Sequence, residues 1–431
     1  MDYTEALILV ISFVVLMGIR VPIAYSIGLS ALLTLVVSIP SLPAMTTLAQ
    51  RMATSLDSFA LLAIPFFILA GQVMNQGGIA RRLIDFAKAI VGPLPGGLAF
   101  VNIIACMLFG AISGSAVAAA SAIGGFMNPM MEKEGYDKSF SAAVNITSAT
   151  TGLIIPPSNI LIIYSLASGG VSIAALFLAG YVPGILIGLA LMLVAGVYAW
   201  MKKYPTAKSV GIGVFFKRFL DAFPSLLLLV VVIGGIVAGI FTATEASAVA
   251  VVYTFVLAFA YKEIELKDVS SILLETTKTT AIVMLLIATS VAMSWVMSYE
   301  SIPQEISAGL LGISNNPIVI LIIINLILLF VGIFMDMTPA VLIFTPIFLP
   351  IVTQMGIDPI HFGIIMILNL CIGLCTPPVG SVLFVGCGVA NLKIQQVVRP
   401  LLPLFIAMLV VLMIITYVPE LSVWVPELFG F

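Results

Sequence analysis

Residues 150–159 read TTGLIIPPSN, and 221 positions later residues 371–380 read CIGLCTPPVG. Each stretch interrupts an apolar helical run with two adjacent prolines, Pro156-Pro157 and Pro377-Pro378. Proline removes an amide donor and clashes with the preceding turn, so both runs are expected to break there. The same offset pairs Phe109 with Phe330, Pro129 with Pro350, Gly135 with Gly356, Asp137 with Asp358 and Gly152 with Gly373. Upstream it pairs Gly18-Ile19 with Gly239-Ile240, and Ser26 with Ser247. Duplicated spans with an interrupted helix in each copy are the sequence sign of a secondary transporter.

Composition fits that reading. The chain of 431 residues is 62% hydrophobic and 8% charged, with a mean hydropathy of +1.26, outside the range of soluble domains. Its formal charge of −2 gives no case for nucleic acid. Cys106, Cys371, Cys375 and Cys387 lie in apolar runs, and His361 alone does not complete a metal set. There is no phosphate-binding GxxxxGK[ST] loop for ATP and no nucleophile with a base, so the chain is read as a non-enzyme with no organic cofactor. Acidic Asp2 and Glu5 precede the first apolar run, which is therefore read as a retained span and not a signal peptide.

The pattern predicts an all-α polytopic membrane protein of two inverted repeats. The first covers 1–205, with spans near 5–19, 21–38, 44–75 and 173–200, an interfacial amphipathic arm at 80–94, a hairpin at 98–127 and a broken helix at 138–168. A linker is expected at 206–220. The second repeat covers 221–431, with spans near 221–240, 244–261, 270–298 and 400–424, an arm at 302–313, a hairpin at 316–350 and a broken helix at 358–390. Both hairpins have small or polar centres, AISGSAVA at 111–118 and FMDMTPAV at 334–341, and are read as dipping into the membrane and returning. Irregular backbone at that depth needs a protein or water lining. With both termini outside, sixteen of the seventeen Lys and Arg residues, Lys208 among them, fall on the inner side and only Arg51 outside, as the positive-inside rule requires.

Chemistry is expected where hairpin tips meet broken helices. A broken helix exposes carbonyls before the break, suited to a small hard cation, and amides after it, suited to an anion. Thr150, Thr151 and Gly152 precede the first break, and Ser158 and Asn159 follow it; Gly373, Thr376, Gly380 and Ser381 take comparable places in the second. The tips are read as Ser113-Gly114-Ser115 set against Met335-Asp336-Met337, with Thr338 next. Asp336 stands out, because a carboxylate in mid-membrane costs about 2.5–3.5 kcal/mol unless paired or hydrated. Asp57 and Glu245 are read as structural acids, Glu245 at a helix N-terminus. Asn102 and Asn145 are placed near the cavity or between helices.

These motifs resemble the large membrane subunit of the tripartite ATP-independent periplasmic (TRAP) transporters. The resemblance rests on GIRVPIAYSIG at 18–28, LLAIPFFILAGQVMNQGGIARRL at 61–83, FGAISGSAVAAASAIG at 109–124, LIIPPSN at 153–159, GIFTATEASAVAVVY at 239–253 and FVGIFMDMTPA at 330–340. It implies an elevator mechanism with Na+ as coupling ion. One Na+ set would be Ser113, Gly114, Ser115, Thr151 and Gly152; another would be Asp336, Thr338, Gly373 and Thr376. Substrate would lie near Ser115, Pro156, Ser158, Asn159, Thr376, Pro378 and Ser381. The implied setting is a bacterial inner membrane, with a periplasmic substrate-binding protein and a small membrane subunit, expected on a separate chain because this one begins directly with the large-subunit motif. Implied substrates are organic acids: C4-dicarboxylates, keto acids, sugar acids or sialic acid. The alternative is a self-sufficient Na+/dicarboxylate symporter of divalent-anion type, although the Ser-Asn-Thr tip motif of those symporters is absent here.

Overall fold

A computed structural model describes residues 4–205, 211–314 and 316–431. Its described residues form helices and turns, with no strand. The first half runs α1 (Thr4–Gly18), α2 (Ile23–Ser38), α3 (Ser41–Ser55), a 3-10 turn (Phe59–Leu62), α4 (Ala63–Gln76), α5 (Ile79–Val91), α6 (Gly97–Ser113), α7 (Ala116–Lys133), α8 (Lys138–Thr151), α9 (Asn159–Ala167) and α10 (Ile173–Lys202). The second runs α11 (Ile212–Val237), α12 (Ala243–Ala260), α13 (Leu266–Tyr299), α14 (Ile302–Ile313), α15 (Pro317–Phe334), α16 (Met337–Gln354), α17 (Pro359–Leu374), α18 (Ser381–Ala390), α19 (Ile394–Tyr417) and α20 (Glu420–Leu428).

The element order repeats: two helices, a long helix, an arm, a hairpin, a broken helix and a closing helix. Local chemistry repeats with it. Gly135 and Gly356 turn the chain at φ +83° and +81°, a conformation glycine adopts without strain. Two residues later Asp137 caps α8 by accepting from Phe140 N–H at 2.9 Å. Asp358 caps α17 by accepting from Ile360 N–H at 2.7 Å and His361 N–H at 3.1 Å. Both proline breaks are present, and Pro156-Pro157 and Pro377-Pro378 are both cis.

Among the described residues, eight helices are long and apolar enough to cross a membrane, α15 and α16 among them. Length alone does not make the hairpins into spans. Both hairpin tips line the same cavity as the broken ends of α8–α9 and α17–α18, so each hairpin stops inside the bundle and turns back. The buried centre belongs to the broken helices: every residue of α8 from Phe140 to Thr151 and of α17 from His361 to Leu374 is buried. Leucines, isoleucines and valines of α1, α10 and α19 instead stay exposed, as with Val14, Leu193 and Val410, which gives the apolar outer surface that lipid requires.

Three expectations need correction. The span at 44–75 is not one helix: α3 stops at Ser55, and Asp57 sits in the break before the 3-10 turn. Asp and Ser are poor formers of helix interiors, and the freed Phe59 carbonyl accepts from Thr244 Oγ1 of α12 at 2.9 Å. The linker at 206–220 is helical from Ile212 onward, as the start of α11; residues 206–210, with Lys208, lie outside the described residues. The hairpin tips align one residue differently. Gly114 pairs with Met335 as the terminating residue, and Ser115 with Asp336 as the residue that caps the returning helix. Glu245 does form a capping box with Thr242, as its helix-start position suggested.

Candidate functional site

The two tips, both breaks and the scaffold helices α4 and α13 enclose one cavity of about 430 Å³. From the first half it takes Ser113, Gly114 and Ser115 of the tip, with Leu153 and Asn159 at either side of the break. From the second it takes Asp336, Met337 and Thr338 of the tip, with Leu374 and Ser381. The opposite wall is Ile64, Ile68, Gly71, Gln72 and Asn75 of α4, with Thr279 and Val283 of α13.

Helix ends set the electrostatics. The N-termini of α7, α9, α16 and α18 all reach this cavity, through Ser115–Ala118, Asn159, Asp336–Thr338 and Ser381. Each brings about half a positive charge, and the carbonyl ends of α6, α8 and α17 lie beside them with the opposite sign. Ser115 caps α7 by accepting from Ala118 N–H at 3.2 Å. Asp336 caps α16, with Oδ1 accepting from Met337 N–H at 2.9 Å. It is the one charged side chain among the described residues that line the cavity.

Eleven of the expected ion and substrate residues form two groups, and Pro156, Ser158 and Pro378 belong to neither. Ser113, Gly114, Ser115, Asn159, Asp336, Thr338 and Ser381 face the cavity. Thr151, Gly152, Gly373 and Thr376 lie behind the tips, held there by close backbone contacts between hairpin and break. The hydroxyl of Thr151 donates to Ser148 O at 2.6 Å, and that of Thr376 to Ile372 O at 2.7 Å. Donating the proton to the helix leaves the oxygen lone pairs for a cation. Ser158 is buried and donates to Leu153 O. Pro156 lines a separate apolar cavity of about 280 Å³ with Met107 and Tyr181, and Pro378 is exposed away from the main cavity. No trio of His, Cys, Asp or Glu is arranged to hold a metal among the described residues; the donors here are hydroxyls, carbonyls and one carboxylate.

Gln72 and Asn75 escaped the sequence reading. They stand three residues apart on α4, on one face, and both line the cavity with Asn159, Gln72 half-buried and Asn75 exposed. Three carboxamides, Gln72, Asn75 and Gln76, close the otherwise apolar run LLAIPFFILAGQVMNQ and were the available signal. Asn102 and Asn145 sit elsewhere. Asn145 Nδ2 donates to Ala120 O at 2.9 Å, tying α8 to α7, and Cys106 Sγ bonds Asn102 Oδ1 at 3.3 Å.

The family profile described as "Tripartite ATP-independent periplasmic transporter, DctM component" matches residues 10–421. The chain belongs to this family. It is 42% identical over 406 residues to a C4-dicarboxylate TRAP transporter large permease protein DctM of Pseudomonas aeruginosa, covering 94% of each chain. It is 56% identical over 419 residues to the uncharacterized protein YgiK of Salmonella typhimurium, covering 97% of this chain and 96% of that one. Against an isethionate TRAP transporter permease protein DctMQ of Oleidesulfovibrio alaskensis it is 43% identical, covering 98% of this chain and 67% of that one. Among solved structures it shares a fold with the YdaH transporter of Alcanivorax borkumensis, at a TM-score of 0.67 and 13% identity over 90% of this chain and 89% of that one. The chain is thus a multi-pass large permease of a TRAP transporter, not an enzyme.

Proposed function

We propose that this permease imports an organic acid anion by Na+ symport, in the bacterial inner membrane with both termini periplasmic. The observation that carries the reading is the cavity's charge: one carboxylate, Asp336, no basic lining residue among those described, and four helix N-termini. An anion entering beside an unneutralised carboxylate pays a repulsion that co-bound cations remove. The hydroxyl and carbonyl donors around Asp336 suit Na+, with one set at Ser113, Gly114, Ser115, Thr151 and Gly152 and another at Asp336, Thr338, Gly373 and Thr376. The amides of Asn159, Gln72 and Asn75, with Ser115 and Ser381, line the cavity and suit the substrate carboxylate.

The arrangement of the walls supports an elevator motion. The tips and breaks form one side of the cavity and α4 with α13 the other, so the first group carries substrate past the second. A C4-dicarboxylate, sugar acid or sialic acid is delivered by a periplasmic binding protein, and a small membrane subunit on its own chain braces α1–α4 and α11–α13. The DctMQ relative supports a large–small pairing, although there in one longer chain.

Uptake into proteoliposomes holding the permease and its small partner tests this. Labelled acids are supplied with and without the binding protein, under a Na+ gradient or a proton gradient alone. Uptake that needs both binding protein and Na+ is expected. Uptake without the binding protein would instead support the self-sufficient symporter, and proton-driven uptake would overturn the Na+ sites.

A further inference from the structure

A second polar cavity, of about 320 Å³, lies at the end of the bundle where α4 and α12 stop and α11 and α13 begin. Its lining is Gly78, Arg81, Arg82 and Asp85 from the α4–α5 turn and α5, Arg218 and Asp221 from α11, and Glu263 from the α12–α13 turn. The arm α5 crosses this end with Ile79, Leu83 and Ile84 buried beneath it and its charges turned outward. An amphipathic helix at the ends of apolar spans sits at the depth of lipid headgroups.

One wall of the cavity is fixed. Arg82 pairs with Glu263 at 3.6 Å and stacks on the Tyr261 ring at 3.6 Å. Gly78 lies so close that a Cβ there would meet the Glu263 carboxyl at 2.8 Å. The remaining four charges are not spent on one another. Arg81 and Asp85 are four residues apart on α5, and Arg218 and Asp221 three apart on α11, yet neither pair closes into an ion pair among the described residues. Arg218 reaches only the main-chain oxygen of Asp85, at 3.4 Å. The cavity therefore presents two guanidinium groups and two carboxylates with open valences.

We propose that this cavity binds a phosphate ester carrying a primary ammonium, supplied as the headgroup of phosphatidylethanolamine. The phosphate sits against Arg81 and Arg218, whose forked donors match its oxygens. The ammonium donates to Asp85 and Asp221. A purely anionic headgroup would meet two unneutralised carboxylates, and a quaternary ammonium has no proton to donate. Phe86 of the arm packs on Phe215 and Phe219, with ring centroids at 6.4 and 5.7 Å, so a lipid here clasps the arm to α11. Cavities lined by basic residues between helices at this level are established lipid-headgroup sites in membrane proteins generally.

The full chain released from nanodiscs of phosphatidylethanolamine, phosphatidylglycerol and phosphatidylcholine, read by native mass spectrometry, provides the test. Phosphatidylethanolamine is expected to be retained over phosphatidylcholine by about tenfold, the worth of one charge-assisted contact. The double substitution Arg81→Ala/Arg218→Ala should remove that retention while circular dichroism stays unchanged. Asp85→Asn/Asp221→Asn, which alters no side-chain size, should shift the preference toward phosphatidylglycerol, and it serves if the arginine variant fails to fold. Equal retention of all three lipids, or wild-type selectivity in the Asn variant, overturns the proposal. So does displacement of the lipid by inorganic phosphate at millimolar concentration, since the cavity would then be a site for soluble anions.

Discussion

Gly152 and Gly110 touch backbone to backbone: a Cβ on Gly152 would lie 2.5 Å from the Gly110 Cα. The second half repeats the contact, with a Cβ on Gly373 lying 2.6 Å from the Gly332 Cα. Each is the point where a hairpin rests on the broken helix beside it. Alanine at 152 or 373 is therefore expected to destabilise the fold by about 1–3 kcal/mol, the usual cost of overpacking a filled core. Thermal unfolding in detergent measures it. Gly125→Ala on α7, where nothing lies within 4 Å, is the control, and an equal loss there would refute the contact as the cause.

Asp336→Asn should shift the Na+ dependence of uptake to higher concentration. Losing a charge-assisted contact of about 1.5–3 kcal/mol raises the apparent Na+ dissociation constant roughly ten- to hundredfold. Thr338→Val, which removes a neutral donor, should cost less. The Na+ titration of uptake distinguishes them, and an unchanged titration in the Asn variant would remove Asp336 from the coupling machinery.

Gln72→Ala and Asn75→Ala test the α4 wall. Each amide is expected to contribute about 0.5–1.5 kcal/mol to a bound carboxylate, so KM for the acid should rise by roughly two- to tenfold. The Na+ curve and the melting temperature should stay in place. A KM identical to wild type in both variants would leave α4 as a mere boundary.

The two aspartate caps offer a test of structure alone. Asp137→Ala and Asp358→Ala should each cost about 1 kcal/mol, with Asp358 the larger because it accepts from two amides and Asp137 from one. Chemical unfolding of the two variants gives the order directly.

Much of this architecture could be read from the chain because its markers are local and doubled. Gly135 with Asp137, Gly356 with Asp358 and the two Pro-Pro pairs act within a few residues of themselves, so an offset of 221 was enough to find them. The break at 56–58 was not visible in this way. Its cause is partly tertiary, since Thr244 on α12 takes up the freed Phe59 carbonyl. The helix from Ile212 was mistaken for linker because Gly211, Gly213 and the charges at 217 and 218 look like a turn; packing of Phe215 and Phe219 against Phe86 of α5 overrides that. Gln72 and Asn75 needed the fold, because only the cavity shows which face of α4 looks inward.

α13 runs unbroken for 34 residues, about 50 Å at 1.5 Å per residue, where the matching part of the first half is jointed between Ser55 and Ala63. In the proposed elevator, two identical halves related by a two-fold axis in the membrane plane would make the outward- and inward-facing forms equal in energy. A rigid strut facing a jointed one removes that equality. In the proposed elevator, the two halves therefore differ in stiffness, and the inward- and outward-facing forms need not weigh the same before any ion gradient or partner acts.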